Sequence, residues 1–107
     1  MVSKYDDVFS EDLGDGVIRR VLIHDRSLMM VEVSFKKGAV GAIHSHIHEQ
    51  ISYILSGSFE FTLGDEKFIV KKGDTYYTKP NIPHGVKALE DSVILDTFTP
   101  IRKDFLK

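Results

Sequence analysis

Ser58-Phe59-Glu60-Phe61-Thr62-Leu63-Gly64-Asp65-Glu66-Lys67-Phe68-Ile69-Val70 is a β-hairpin written in alternation. In an extended chain Phe59, Phe61 and Leu63 share one face while Ser58, Glu60 and Thr62 share the other, as a strand packed on one side requires. Gly64-Asp65 reverses the chain, and Phe68 and Val70 then resume the apolar face. Aromatics alternating along a strand are what one wall of a two-layer β core needs, so this segment reads as scaffold.

The period of two continues outward in both directions. Runs at 17–24, 29–35, 39–46, 50–55, 59–63, 67–70, 75–78, 85–89 and 93–98 alternate or are continuously apolar. Between them lie Lys36-Lys37-Gly38, Ser56-Gly57, Lys72-Gly73-Asp74 and Pro80-Asn81-Ile82-Pro83, which turn the chain or stop a ladder. Turn signals every eight to twelve residues or so, without a helical stripe, predict an all-β sandwich or barrel. Only the tail after Pro100 has room for a short helical turn.

Composition sets the outer limits. A length of 107 residues, 42% of them apolar and 28% charged, predicts one globular domain over 1–107. Sixteen acidic against fourteen basic side chains give a formal charge of −2. No basic cluster exceeds Lys36-Lys37 or Lys71-Lys72, so neither nucleic acid nor an acidic membrane is an expected partner. Cysteine is absent, which removes disulfides, thiolate metal sites and cysteine nucleophiles. The N-terminal stretch does not read as a targeting signal, so none is expected, and no apolar segment approaches the roughly 20 residues that span a bilayer. The cytoplasm is the expected compartment. A chain this small buries only about 60 to 70% of its unfolded surface, so a homodimer is expected, through a sheet face or exchanged strands.

Four of the five histidines stand out. In His44-Ser45-His46-Ile47-His48-Glu49-Gln50 the even positions hold three histidines and a glutamine. Read as one strand, those side chains point into the same space, which suits a divalent metal ion; a solvated polar face is the alternative for a lone His-x-His pair. His84 lies between two prolines and a glycine, Pro80-Asn81-Ile82-Pro83-His84-Gly85. A stiffened turn holds a distant ligand with little entropy left to lose. His24, alone in an alternating strand, reads as ordinary structure.

The spacing of Gly38, His44-x-His46, Gln50 and Gly57, followed by Gly73, Pro80 and His84, resembles the two motifs of the cupin superfamily. The resemblance implies a small single-domain cupin, a double-stranded β-helix or jelly-roll barrel holding a metal inside, and it agrees with the strand count. Three positions depart from the general motifs. Gln50 stands where a glutamate is usual, and Ile82 and Ala88 replace a glycine and an asparagine of the second motif. Glu49 has the wrong strand parity to substitute, so Gln50 is expected to bind through its amide oxygen. Three neutral imidazoles and a neutral amide leave the ion's double charge uncompensated. Such a site favours an anionic oxygen ligand and Lewis-acid chemistry on a carboxylate-bearing substrate over redox iron. Nickel, zinc, manganese, iron and cobalt all accept this donor set.

In the last strand Asp96 interrupts an apolar run and shares a face with Ile94 and Phe98. One reading is an exposed, solvated aspartate. The other joins Asp96, Phe98 and Arg102 as an acid or base, a flat apolar wall and a guanidinium able to clasp a carboxylate. His44-Ser45-His46, Glu49-Gln50-Ile51-Ser52-Tyr53, Asn81-Ile82-Pro83-His84-Gly85-Val86 and Leu95-Asp96-Thr97-Phe98-Thr99-Pro100-Ile101-Arg102-Lys103-Asp104-Phe105 together resemble the pectin-degradation cupin group. That similarity implies metal-dependent ring opening of 4,5-unsaturated monouronates from pectin or alginate, a small anionic sugar substrate. It implies metal ligands His44, His46, Gln50 and His84, with Asp96, Phe98 and Arg102 in the active site. His48 reads as a neighbour of the ligands or a part of the rim that binds substrate. A cupin dioxygenase and a non-catalytic sugar-acid binding module are the rival readings of the same cage.

Overall fold

Strands form where the alternation runs, and in a computed structural model describing residues 1–106 they number ten among the described residues. They are β1 (Glu11–Gly14), β2 (Val17–Asp25), β3 (Leu28–Phe35), β4 (Val40–His44), β5 (Glu49–Ser56), β6 (Ser58–Leu63), β7 (Glu66–Lys71), β8 (Thr75–Thr78), β9 (His84–Ala88) and β10 (Ser92–Thr99). Short 3₁₀ turns occupy Tyr5–Asp7 and Lys103–Phe105. The domain expected over 1–107 ends at Lys107, which lies outside the described residues.

All pairings are antiparallel, in a six-stranded sheet of order β1-β2-β3-β10-β5-β8 and a four-stranded sheet of order β4-β9-β6-β7. This is the all-β architecture the alternation predicts, in the jelly-roll form that the cupin resemblance implies. The opening hairpin pairs as read, Phe61 opposite Phe68 and Phe59 opposite Val70. Phe59 and Phe61 are buried between the sheets with Phe35, Ile54, Val70, Ala88 and Ile94. Phe35 meets Phe59 edge to face at 5.2 Å, and Phe61 stacks on Tyr76 at 3.7 Å. Phe68, at the sheet edge, stays 44% exposed.

Two sequence expectations fail: a short helical turn forms at Tyr5–Asp7 and not only after Pro100, and the histidine segment is interrupted. Residues 44–50 do not make one strand: β4 ends at His44, 45–48 form an irregular connection, and β5 begins at Glu49. The chain there leaves one sheet for the other, and a ladder cannot continue through that crossing. Strand β1 is also additional to the predicted runs; its sequence, Glu11-Asp12-Leu13-Gly14, carries almost no apolar signal.

Two glycines set the geometry that matters here. Gly57, at the corner between β5 and β6, has φ +77°, and a Cβ there would lie 2.6 Å from the Asp91 carbonyl oxygen. A Cβ on Gly85 would sit 2.8 Å from the Gly41 carbonyl oxygen, so its absence lets β9 lie close against β4. That approach brings His84 directly opposite His44 in the ladder.

Candidate functional site

The inner face of the six-stranded sheet changes character row by row. Phe98, Gln50 and Thr78 are cross-strand neighbours on β10, β5 and β8; the next row is Asp96, Ser52 and Tyr76; the next holds Ile94 and Ile54. The polar rows therefore lie at one end of the barrel, above the apolar core. Glu49 faces outward and accepts a 2.6 Å hydrogen bond from the Tyr77 hydroxyl, as strand parity requires.

Three histidines converge on that end from two elements and a connection. His44 closes β4, His84 opens β9, and His46 lies between β4 and β5, where the Asn81 amide donates to its carbonyl oxygen at 2.7 Å. Their ring centroids are 4.6 Å (His44 to His84), 4.7 Å (His46 to His84) and 5.4 Å (His44 to His46) apart, and one nitrogen from each lies within 4.8 Å of the others. His48 lies outside this triad. Its Nδ1 donates to the Pro100 carbonyl oxygen at 2.9 Å, and its ring sits beside His46 and Phe98. His24 is exposed on β2, away from the cluster.

The hydrogen bonds around these rings decide what they can hold. Nδ1 of His44, His46 and His84 lies 2.8, 3.1 and 2.9 Å from the carbonyl oxygens of Ala42, His48 and Ile82. A carbonyl only accepts, so each ring carries its proton on Nδ1, and a neutral ring then has its lone pair on Nε2. Gln50 is oriented just as firmly. Its amide nitrogen donates to the Ser52 hydroxyl at 2.9 Å and to Asp96 Oδ1 at 3.2 Å, which turns Oε1 toward His46 Nε2, 3.1 Å away. Two acceptors thus face each other and require a positive species between them. A proton on His46 is disfavoured, because burial, then the Arg102 guanidinium and then His84 lower its pKa to about 4. Burial lowers that of His84 as well. His84 Nε2 is sealed from solvent without a hydrogen-bond partner. Three imidazole nitrogens and an amide oxygen fit a first-row divalent cation and leave all four lone pairs satisfied.

Asp96 is half-buried beside this cluster, which decides between the two sequence readings: it faces the interior. Ser52 donates to its Oδ1 at 2.6 Å, and Gln50 donates to the same atom. Burial pushes the carboxyl up to about 6, while the hydrogen bonds from Ser52 and Gln50 and the charge of Arg102 oppose that rise. Burial, with Asp96 nearby, also raises the Tyr76 phenol. Phe98 is 3% exposed and lies edge-on to His46, His48 and Phe105. The flat wall read from the sequence is thus an internal one, bracing imidazoles rather than lying open. The Arg102 Cζ lies over Phe98 at 5.2 Å and over Phe105 at 4.2 Å, and its side chain is 11% exposed.

Ser52 and Asp104 were missed as contributors. Ser52 has a sequence signal, because it shares the inward parity of Gln50 and Ile54, but its register opposite Asp96 is a long-range fact. Asp104, two residues beyond Arg102, binds the guanidinium with both carboxylate oxygens at 3.0 and 2.8 Å.

Comparison with known proteins gives a consistent picture. The cupin domain family matches residues 31–98. The chain is 51% identical over 98 residues to the pectin degradation protein KdgF of Dickeya dadantii (strain 3937), covering 90% of this chain and 89% of that protein. Its structure is similar to that of KdgF from Halomonas sp., with a TM-score of 0.94 and 38% identity over 99% of this chain and 100% of the other. It is also similar to an RmlC-like cupin from Shewanella frigidimarina NCIMB 400, with a TM-score of 0.95 and 33% identity over 98% and 95% of the two chains.

Proposed function

The chain belongs to the cupin domain family, and on that footing we propose that it opens the ring of 4,5-unsaturated monouronates of the kind derived from pectin or alginate. The carrying observation is that four lone pairs, from His44, His46, His84 and Gln50, converge beside a carboxyl group, Asp96, bound to that same glutamine. The sequence similarity to a pectin degradation protein supplies the substrate class.

The reaction is an isomerisation. The anomeric hydroxyl loses its proton, the bond from C1 to the ring oxygen breaks, and the resulting enolate takes a proton at C4 to give a linear keto acid. Negative charge grows on the former ring oxygen beside a carboxylate. His44, His46, His84 and Gln50 would hold a divalent ion, which would supply Lewis acidity to offset this charge. Asp96, with a pKa near neutrality, accepts the proton of the anomeric hydroxyl and returns one to C4. Ser52 and Gln50 keep its carboxyl aimed while it does so. Arg102 receives the substrate carboxylate, Phe98 braces His46 and Arg102, and His48 lines the rim.

Mixing the metal-loaded protein with freshly generated unsaturated galacturonate tests this directly. Absorbance of the conjugated double bond falls faster than in the spontaneous reaction. Equal rates with and without protein refute the proposal, and oxygen uptake by the iron-loaded protein would move the reading to a dioxygenase.

The outer face of the six-stranded sheet completes the proposal. Ile51, Tyr53 and Leu55 on β5 are each at least 41% exposed, beside Tyr77 on β8 and Met30 on β3. A second copy covering this face gives a homodimer, measurable as a doubled mass in light scattering. Among the described residues no helix is long and apolar enough to cross a membrane. Action on a small anionic sugar in the cytoplasm, without nucleic-acid or membrane partners, belongs to the same proposal.

A further inference from the structure

The guanidinium of Arg102 is held in more than one direction. Phe105 and Phe98 lie at 4.2 and 5.2 Å from its Cζ and restrict movement out of its plane. Arg19 rests on the same Phe105 ring at 3.9 Å and pins the tail that carries it. Among the described residues, rotation within the plane is restrained by one group, the Asp104 carboxylate. Oδ1 accepts from Nε at 3.0 Å and Oδ2 accepts from Nη2 at 2.8 Å. A guanidinium has five donors, and this side-on pairing uses two. Of the other three, the second on Nη2 and one on Nη1 form the end-on edge, the last Nη1 hydrogen points back along the side chain, and none makes a hydrogen bond among the described residues. Arg102 therefore has a second complete fork available after Asp104 has taken the first.

We propose that Asp104 is a positioning residue that holds the side-on edge of Arg102 and thereby presents the end-on edge as the two-pronged receptor for the substrate carboxylate. The proposal rests on the ring-opening reading above, because that reading provides the carboxylate. Asp104 does not touch substrate. It is itself 59% exposed while the arginine it holds is 11% exposed, so replacing it removes the restraint and leaves the core intact. It also partly offsets the guanidinium charge, so that affinity for anions comes from a fixed geometry more than from a free cation.

The test uses the metal-loaded protein and two non-reacting probes, galacturonate and its methyl ester, with binding measured by calorimetry. The wild type favours the acid over the ester. Asp104→Ala lowers that preference by about tenfold while ester binding, metal content and melting temperature stay unchanged. In turnover the same variant raises KM by about tenfold with kcat within about threefold, and Asp104→Glu, which keeps a carboxylate, restores most of the loss. Equal weakening of acid and ester would mean a merely structural role and overturns the proposal. An undiminished preference in Asp104→Ala overturns it alone, leaving the ring-opening reading in place. A wild type that does not favour the acid overturns both.

Discussion

Replacing Asp96 with asparagine separates what this carboxyl costs the fold from what it gives the reaction. Its pKa rises from the ordinary 3.8 to about 6, chiefly through burial. The folded protein therefore binds this proton more tightly than the unfolded chain does. The stability so gained is fully present below the unfolded value and is lost as pH rises through about 6. Two units at about 1.4 kcal/mol each amount to roughly 3 kcal/mol overall, of which about 2 kcal/mol is lost between pH 4.5 and 7.5. Asparagine keeps the oxygen that accepts from Ser52 and Gln50 but never ionises. Metal-stripped Asp96→Asn should thus gain on the wild type as pH rises, by about 2 kcal/mol across that range, or roughly 10 °C in melting temperature. Urea or thermal unfolding in the presence of a chelator at several pH values measures the gap. Metal should shrink the gap, because a nearby cation favours the ionised carboxyl. Turnover should fall at least a hundredfold or so despite the gain in stability. A stability gap that does not change with pH refutes the burial argument.

Gln50→Glu places a second carboxylate against Asp96, in place of an amide that donates to it at 3.2 Å. Metal should bind more tightly, turnover should slow, and the acid limb of the pH–rate profile should move upward. The pKa of His46, lowered to about 4, keeps that imidazole neutral well below pH 7, and burial lowers that of His84 as well. Metal uptake should therefore displace no proton from His46 until the pH approaches 4, and a His46 imidazole found protonated by NMR at pH 6 would contradict this environment. Phe61→Ala removes a buried ring stacked on Tyr76 at 3.7 Å; denaturant titration should show a loss of about 3 to 5 kcal/mol.

Parity was readable wherever a strand is regular. On β5 it places Gln50 inward and Glu49 outward, and on β10 it joins Asp96 to Ile94 and Phe98, all as expected. It did not carry across 44–50, where the histidines gather by a different route: one ends a strand, one belongs to a connection, and the third arrives through the close approach of β9 to β4. Their spacing singled out residues that do converge, although the strand invoked to explain it is absent. The partnership of Ser52 with Asp96 was out of reach because it depends on β10 lying next to β5, some forty residues away in sequence. The clasp of Arg102 by Asp104 is local, yet two residues in a tail carry no periodicity from which to read it.

The place of β10 bears on how the molecule is made. It is synthesised after both of its neighbours but lies between them, paired to β3 on one side and β5 on the other. A nascent chain stalled before Ser92 holds two strands with open edges and a gap between them. It also lacks Asp96. An interrupted translation product therefore has neither a closed sheet nor the carboxyl proposed to carry the proton, so the strand that completes the barrel also completes the candidate site.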